Sequence, residues 1–273
     1  MERVLSFITC FLLISFSVRA EKDPRLTGPG LEIGLISEST GVSTGKPLTL
    51  GLHIHHLPGF HTYWKNPGIV GMATSLEWSL PEGFTASKIR WPYPENTFMA
   101  EYPCHGYERD VTLMVTITPP AQIAAKNVTF KAESAWMCCA KGCFPGFETL
   151  ELTLPVTTAP KPVPSAKALL AKAIKELPSK KHGVKAILHS KTDAETITLN
   201  FRGDLKSPLG KPYFFSSDGQ ISSDQKQNFV EEKDGTFTLK IARSEFSPEG
   251  KTSVPGVLKV GNRYLEIEAS PAL

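Results

Sequence analysis

Apolar residues recur at every second position through much of this chain. Leu48, Leu50, Leu52 and Ile54 alternate with Thr49, Gly51, His53 and His55. Val111, Leu113, Val115 and Ile117 alternate with polar residues and Met114, and Leu150, Leu152 and Leu154 follow the same rule. The pattern returns at Ile197, Leu199 and Phe201, at Phe237, Leu239 and Ile241, and at Leu265 and Ile267. A period of two sends alternate side chains to opposite faces of an extended backbone, so each run predicts a strand. The 22 prolines and 21 glycines supply turns between the runs. Many short strands between turn residues predict an all-β chain built of antiparallel sandwiches.

One stretch departs from this period. Residues 157–164 are proline-rich, and Ser165 is placed to cap a helix. Leu169, Leu170, Ala173, Ile174 and Leu177 then follow at helical spacing until Pro178 stops the run. The expected organisation is therefore two β-sandwich domains, 27–158 and 184–273. A linker over 159–183, containing the short helix, joins them.

The first twenty residues read as a secretory leader. Arg3 precedes an apolar run from Val4 to Val18, and Val18 and Ala20 fit a small-residue cleavage pattern. The apolar run is shorter than the roughly 20 residues a membrane-spanning helix needs. No later stretch is long and apolar enough, so the mature chain, expected to start near Glu21, is read as having no transmembrane segment. The formal charge of +3 is too balanced to suggest a nucleic-acid partner.

Export into an oxidising compartment makes disulfides expected. Of five cysteines, Cys10 lies in the leader, which leaves Cys104, Cys138, Cys139 and Cys143. Four cysteines allow three connectivities, and the one joining adjacent Cys138 and Cys139 is discounted as strained. In an extended segment these neighbours face opposite ways. Two pairings stay open: Cys139–Cys143 with Cys104–Cys138, or Cys138–Cys143 with Cys104–Cys139. The entropic benefit of a crosslink grows with loop length, so a bond across three residues stabilises little. A small loop can also make its disulfide easier to reduce. Gly142 permits the tight path, Lys141 could favour a thiolate, and Pro145 is placed to help end the strand. Spacing alone leaves an exchanging disulfide and a static staple both open. A zinc site is a third reading, without the usual paired spacing.

The surrounding motifs add information. His61-Thr-Tyr63-Trp64-Lys-Asn-Pro67-Gly68, Trp91-Pro92-Tyr-Pro94, Gly106-Tyr107-Glu108, Trp136-Met-Cys138-Cys139 and Gly142-Cys143-Phe-Pro145-Gly146 occur in this order. In them, residues 60–155 resemble the periplasmic N-terminal domain of the DsbD family of thiol:disulfide interchange proteins, especially its ScsB-like branch. Residues 165–273 resemble, more weakly, the second β domain of ScsB-like proteins through Phe214-Phe215-Ser-Ser-Asp218-Gly219 and Pro255-Gly256-Val257-Leu258. The resemblance implies immunoglobulin-like sandwiches and a redox-active pair that relays electrons from a membrane-embedded donor to periplasmic thiol proteins. The family pattern Trp-x-x-Cys-x3-Cys-x-Pro-Gly falls on Trp136, Cys139, Cys143, Pro145 and Gly146, so it assigns Cys139 and Cys143 as the exchanging pair. Cys104 and Cys138 are additional to that pattern, and a structural bridge between them would account for both. By position, residues 95–103 match a loop that covers the family's cysteines. The resemblance thus implies Phe98 as the cap and Tyr63 as an aromatic beside the pair. Full DsbD-type proteins continue into a membrane domain and often a thioredoxin-like domain. Neither is found in this sequence, so the expected donor is a separate membrane protein.

Other residue groupings offer competing chemistry. His53 and His55 share a strand face and could share a metal, with His105 a candidate to join them. ScsB-like proteins are linked to copper tolerance, which sharpens that question without naming ligands. Trp64, Trp78, Trp91 and Trp136 read as core rather than as a carbohydrate platform. Asn127-Val-Thr129 fits a glycosylation acceptor but lies in a strand-like run. No Ser/His/Asp constellation, phosphate loop or paired-carboxylate pattern stands out, which argues against a hydrolase. No cofactor is expected. The alternative to an exchange protein is a disulfide-stapled binding module for a protein or copper.

Overall fold

The computed structural model describes residues 26–189 and 195–272. The leader expected over 1–20 lies outside the described residues.

The first set of strands is β1 (Leu26–Gly28), β2 (Leu31–Ser37), β3 (Leu48–His56), β4 (Thr62–Gly68), β5 (Ser75–Ser79) and β6 (Thr85–Ala86). It continues with β7 (Glu95–Met99), β8 (Tyr102–Tyr107), β9 (Val111–Thr118), β10 (Asn127–Cys139) and β11 (Cys143–Pro155). They form three antiparallel sheets, ordered β1-β2-β3-β9-β6, β11-β10-β5 and β4-β8-β7. The first two sheets share a core. Leu31, Ile33, Leu35, Leu52, Ile54, Val111 and Leu113 from one meet Ala132, Trp136, Cys138 and Leu150 from the other. Alternation along β10 explains this arrangement. Val128, Phe130, Ala132, Ser134, Trp136 and Cys138 are all buried, one residue in two.

Helix α1 (Pro164–Lys175) follows. Its cap residue is Val163, without a side-chain cap bond, and Pro164 opens the first turn, so Ser165 is not the cap. Proline suits that position because the N–H it lacks would have no partner in the helix. The helix lays Leu170 and Ala173 on Met114 of β9. Strand β9 is therefore buried on both faces, with Thr112 and Met114 as inaccessible as Leu113. Gly51 of β3 permits this approach, because an added Cβ would lie 3.1 Å from a Leu170 methyl carbon. Ile174, expected on the apolar stripe, is 53% exposed.

The second set of strands is β12 (Lys185–Leu188), β13 (Thr196–Arg202), β14 (Tyr213–Ser216), β15 (Phe229–Glu231), β16 (Phe237–Ala242), β17 (Val254–Val260) and β18 (Arg263–Pro271). They run in the order β14-β17-β18-β12-β13-β16-β15 around their own core. The β12–β18 pairing is parallel, a departure from the all-antiparallel expectation. Parallel neighbours need a long connection, and the intervening strands provide it.

The two sets pack on each other. Phe215 and Val257 join the core cluster of Trp64, and the rings of Tyr93 and Tyr264 stack at 3.7 Å. Asn66 Nδ2 donates to the Ser216 carbonyl at 2.6 Å, and Ser223 Oγ donates to the Pro103 carbonyl at 2.8 Å. His105 Nε2 lies 3.0 Å from the Tyr213 hydroxyl. The second set of strands thereby braces β4 and β8. Among the described residues, no helix is long and apolar enough to cross a membrane.

Candidate redox site

Strands β10 and β11 form one long hairpin, in register from Asn127 opposite Pro155 to Cys139 opposite Cys143. Cys139 ends one strand and Cys143 begins the next, with Ala140, Lys141 and Gly142 as the turn. Cross-strand pairing brings their Cα atoms to 4.3 Å, and the two sulfurs are bonded. Pro145 does not end the strand. It lies inside β11, an edge strand, where its missing N–H costs no ladder bond. Gly146 opposes Trp136, whose indole occupies the space an added Cβ would need.

The two bonded cysteines differ in surroundings. Cys139 is fully buried, whereas Cys143 is exposed. Burial of Cys139 comes from the face of β10 opposite the sandwich core. There Cys139 clusters with Tyr63 of β4 and Cys104 of β8, and Val70, Met99 and Met137 pack around them. His61 fastens this end of the hairpin. Its N–H donates to the Cys139 carbonyl at 3.0 Å, and the Cys139 N–H donates to the His61 carbonyl at 3.0 Å. The His61 ring meets the Tyr63 ring edge-on at 5.1 Å, with Nε2 3.3 Å from the Tyr63 hydroxyl. On the outer side, Phe144 approaches Phe60 at 6.2 Å.

Burial sets the protonation of the neighbours. Desolvation, and then the nearby Cys104 and Cys138, push the Tyr63 hydroxyl well above its ordinary value, so it stays neutral. Burial lowers His61, against the opposing pull of Glu108. The thiols of Cys104 and Cys138 are each pushed up to about 11, chiefly by burial. Both are therefore protonated at neutral pH.

Several expectations change here. Cys104 and Cys138 are free thiols and form no bridge. Cys138 points into the sandwich core with Trp136, while Cys104 lies on the other face with Cys139. The alternation of β10 correctly separates Cys138 from Cys139, but it sends Cys138 away from Cys104. Tyr63 is fully buried beside the pair, in the position expected of it. Phe98 is 61% exposed and lies outside the packing around Cys139. The residue of that hairpin packed against the cluster is Met99, on the inward face with buried Thr97. The period-two rule applied to Thr97 and Met99 was the signal for it.

The three candidate histidines each contact a different residue. His53 Nδ1 lies 3.0 Å from the Thr112 hydroxyl, and His55 Nδ1 lies 2.9 Å from Asp110. His105 is in the contact with Tyr213. Among the described residues, no group of three or more His, Cys, Asp or Glu side chains could hold a metal. Trp64 and Trp136 are core residues, with Trp78 and Trp91 packed against that core.

Residues 37–155 match the family model described as thiol:disulfide interchange protein DsbD, N-terminal. This chain therefore carries a domain of the DsbD N-terminal family, a thiol–disulfide interchange module with its disulfide at Cys139–Cys143. Among solved structures, the chain is similar to the N-terminal periplasmic domain of ScsB from Proteus mirabilis. The TM-score is 0.65 at 14% identity, over 91% of this chain and 97% of that one. At that identity the likeness concerns the fold. No curated protein matches the chain.

Proposed function

We propose that this is an exported, periplasmic protein that passes reducing equivalents from a separate membrane-embedded reductase to other exported thiol proteins. The observation that carries this reading is the asymmetry of the bonded pair, with Cys143 exposed and Cys139 buried at the end of one rigid hairpin. An incoming thiolate needs access to one sulfur, and of the bonded pair only Cys143 is exposed to offer it.

In the reduced protein, the Cys143 thiolate attacks one sulfur of a partner disulfide. A Cys143–partner bond forms, and the partner's other sulfur leaves and takes a proton. Cys139, held next to Cys143 by the hairpin register, then attacks the Cys143 sulfur. The partner departs as a dithiol, and the Cys139–Cys143 bond is restored. A donor thiolate reopens it: its sulfur bonds to exposed Cys143, Cys139 leaves and takes a proton, and the donor's second thiol then displaces Cys143, leaving the donor as a disulfide. Neutral Tyr63 adds no negative charge against the Cys139 thiolate that forms. The two domains expected from the sequence then divide the work, one carrying the pair and the other bracing β4 and β8.

The reduction potential of the Cys139–Cys143 pair, measured against glutathione, tests this reading. An exchanging pair should equilibrate with the buffer. A potential below about −300 mV, the range of structural disulfides, would favour a stapled binding module instead.

A further inference from the structure

Strand β4 serves two places at once. Tyr63 packs on the Cys139 cluster, whereas Trp64 and Lys65 line a cleft where the two sets of strands meet. The cleft holds about 610 Å³, within the roughly 300–1,000 Å³ of small-molecule sites, which favour domain interfaces. Its apolar lining comes from three parts of the chain: Trp91 of the first set, Leu177 beyond α1, and Val257 and Ile267 of the second set. Its charges are unevenly matched. Lys180 pairs with Glu266 at 3.6 Å, and Glu268 accepts the Ser253 hydroxyl. Among the described residues, neither Lys65 nor Arg90 forms an ion pair. Lys65 Nζ lies over the Trp64 indole at 5.1 Å. Arg90 Nη2 approaches the Met114 sulfur at 3.7 Å, and its Nε is buried without a hydrogen-bond partner. The Arg90 backbone is fixed by two bonds to Met114, at 2.8 and 3.3 Å. This guanidinium is thus held in place beside apolar walls with its charge unanswered.

We propose that this cleft binds a small organic anion, with its acidic head on Arg90 and its apolar body against Trp91, Leu177 and Val257. Arginine suits a carboxylate or sulfonate head because its planar fork of N–H groups can bond two oxygens together. Lys65 adds positive charge at the same cleft without a fixed bond. The paired Lys180 and Glu266 leave Arg90 and Lys65 as the cations available to a ligand. The apolar walls supply affinity without choosing a sign of charge, and the two cations choose it. A cleft of this size takes a small molecule rather than a folded partner. Binding here is non-covalent and does not rest on the exchange reading, since the cleft contains neither Cys139 nor Cys143.

Fluorescence titration of the full chain, disulfide intact, with two probes tests this. Anilinonaphthalene sulfonate carries an acidic head on an apolar body, and N-phenylnaphthylamine is its neutral counterpart. The sulfonate should bind saturably at one site, about tenfold more tightly than the neutral probe. Arg90→Gln should weaken the sulfonate about tenfold and leave the neutral probe unmoved. Lys65→Gln alters an exposed side chain, so the fold should tolerate it, and it should weaken the sulfonate several-fold. Ser217→Trp, which fills the cleft and keeps every charge, should abolish binding of both probes. Absence of saturable sulfonate binding to the wild type overturns the proposal. Equal affinity for the two probes, or sulfonate binding that neither Lys65→Gln nor Ser217→Trp changes, also overturns it.

Discussion

His61 and Cys139 face each other across an isolated antiparallel bridge, each donating its backbone N–H to the other's carbonyl at 3.0 Å. These two bonds hold the tip of the β10–β11 hairpin against the start of β4. They keep Cys139 seated beside Tyr63 while Cys143 remains exposed. His61→Pro removes one donor and leaves a buried carbonyl unpaired, which costs about 1–3 kcal/mol. Urea denaturation should show that loss, and small thiols should reduce the pair faster than in the wild type. His61→Gln keeps both backbone bonds and should reduce at close to the wild-type rate. A proline variant with unchanged reduction kinetics would mean that this bridge does not seat the cysteine.

The cover over Cys139 makes a second prediction. Met99 packs on the Tyr63–Cys104–Cys139 cluster, whereas Phe98 is mostly exposed. Met99→Ala should speed reduction by glutathione several-fold, because water reaching Cys139 makes its sulfur a better leaving group when the thiol attacks exposed Cys143. Phe98→Ala should change that rate little. Stopped-flow reduction of the two variants side by side distinguishes them, and the reverse order would restore Phe98 as the cap.

Buried histidines set the acid limit of stability. Burial lowers His56 and His105 to about 4 from an ordinary 6.5. Above pH 6.5 both are neutral folded or unfolded, and no penalty arises. Between pH 6.5 and 4 the unfolded chain binds these protons and the folded chain does not. Stability therefore falls as pH falls, by up to about 1.4 kcal/mol per pH unit for each group. Below about pH 4 the loss from each levels off near 3 kcal/mol. His105→Gln and His56→Gln should each flatten the slope of unfolding free energy over this window, whatever they do to its absolute value. Slopes identical to the wild type would contradict the assignment.

Cys138 offers a further contrast. As a free thiol packed with Trp136, it contributes only its packing. Cys138→Ala should cost about 1 kcal/mol, and the reduction potential of the Cys139–Cys143 pair should not move. Loss of a native structural disulfide would instead cost about 2–5 kcal/mol. Denaturant titration of the variant decides between the two, and a loss in the larger range would revive the Cys104–Cys138 bridge.

Much of the fold could be read in the sequence because one face of most strands is wet. Strands β3, β13 and β16 follow their apolar alternation closely. The hidden parts are those where a second layer changes which face is dry. Met114 interrupts the polar face of β9 because α1 lies on it, and that methionine was the available sign. At the site, the bonded pair and Tyr63 came from the motifs, and the hairpin register explains the pair's proximity. The place of Cys104 did not follow from any local pattern. It depends on which face of the β4-β8-β7 sheet meets β10, a matter of tertiary packing. For Phe98 and Met99, two neighbours on one strand, position in the loop was a poorer guide than strand period.

Trapping of mixed disulfides tests the exchange most directly. Exposed Cys143 is expected to attack partners, and buried Cys139 to resolve them. Cys139→Ala, expressed in cells and analysed on non-reducing gels, should accumulate adducts between Cys143 and exported proteins that a reductant dissolves. Cys143→Ala should accumulate none. Absence of adducts from both variants would contradict the exchange account, and adducts from Cys143→Ala alone would reverse the roles of the two cysteines.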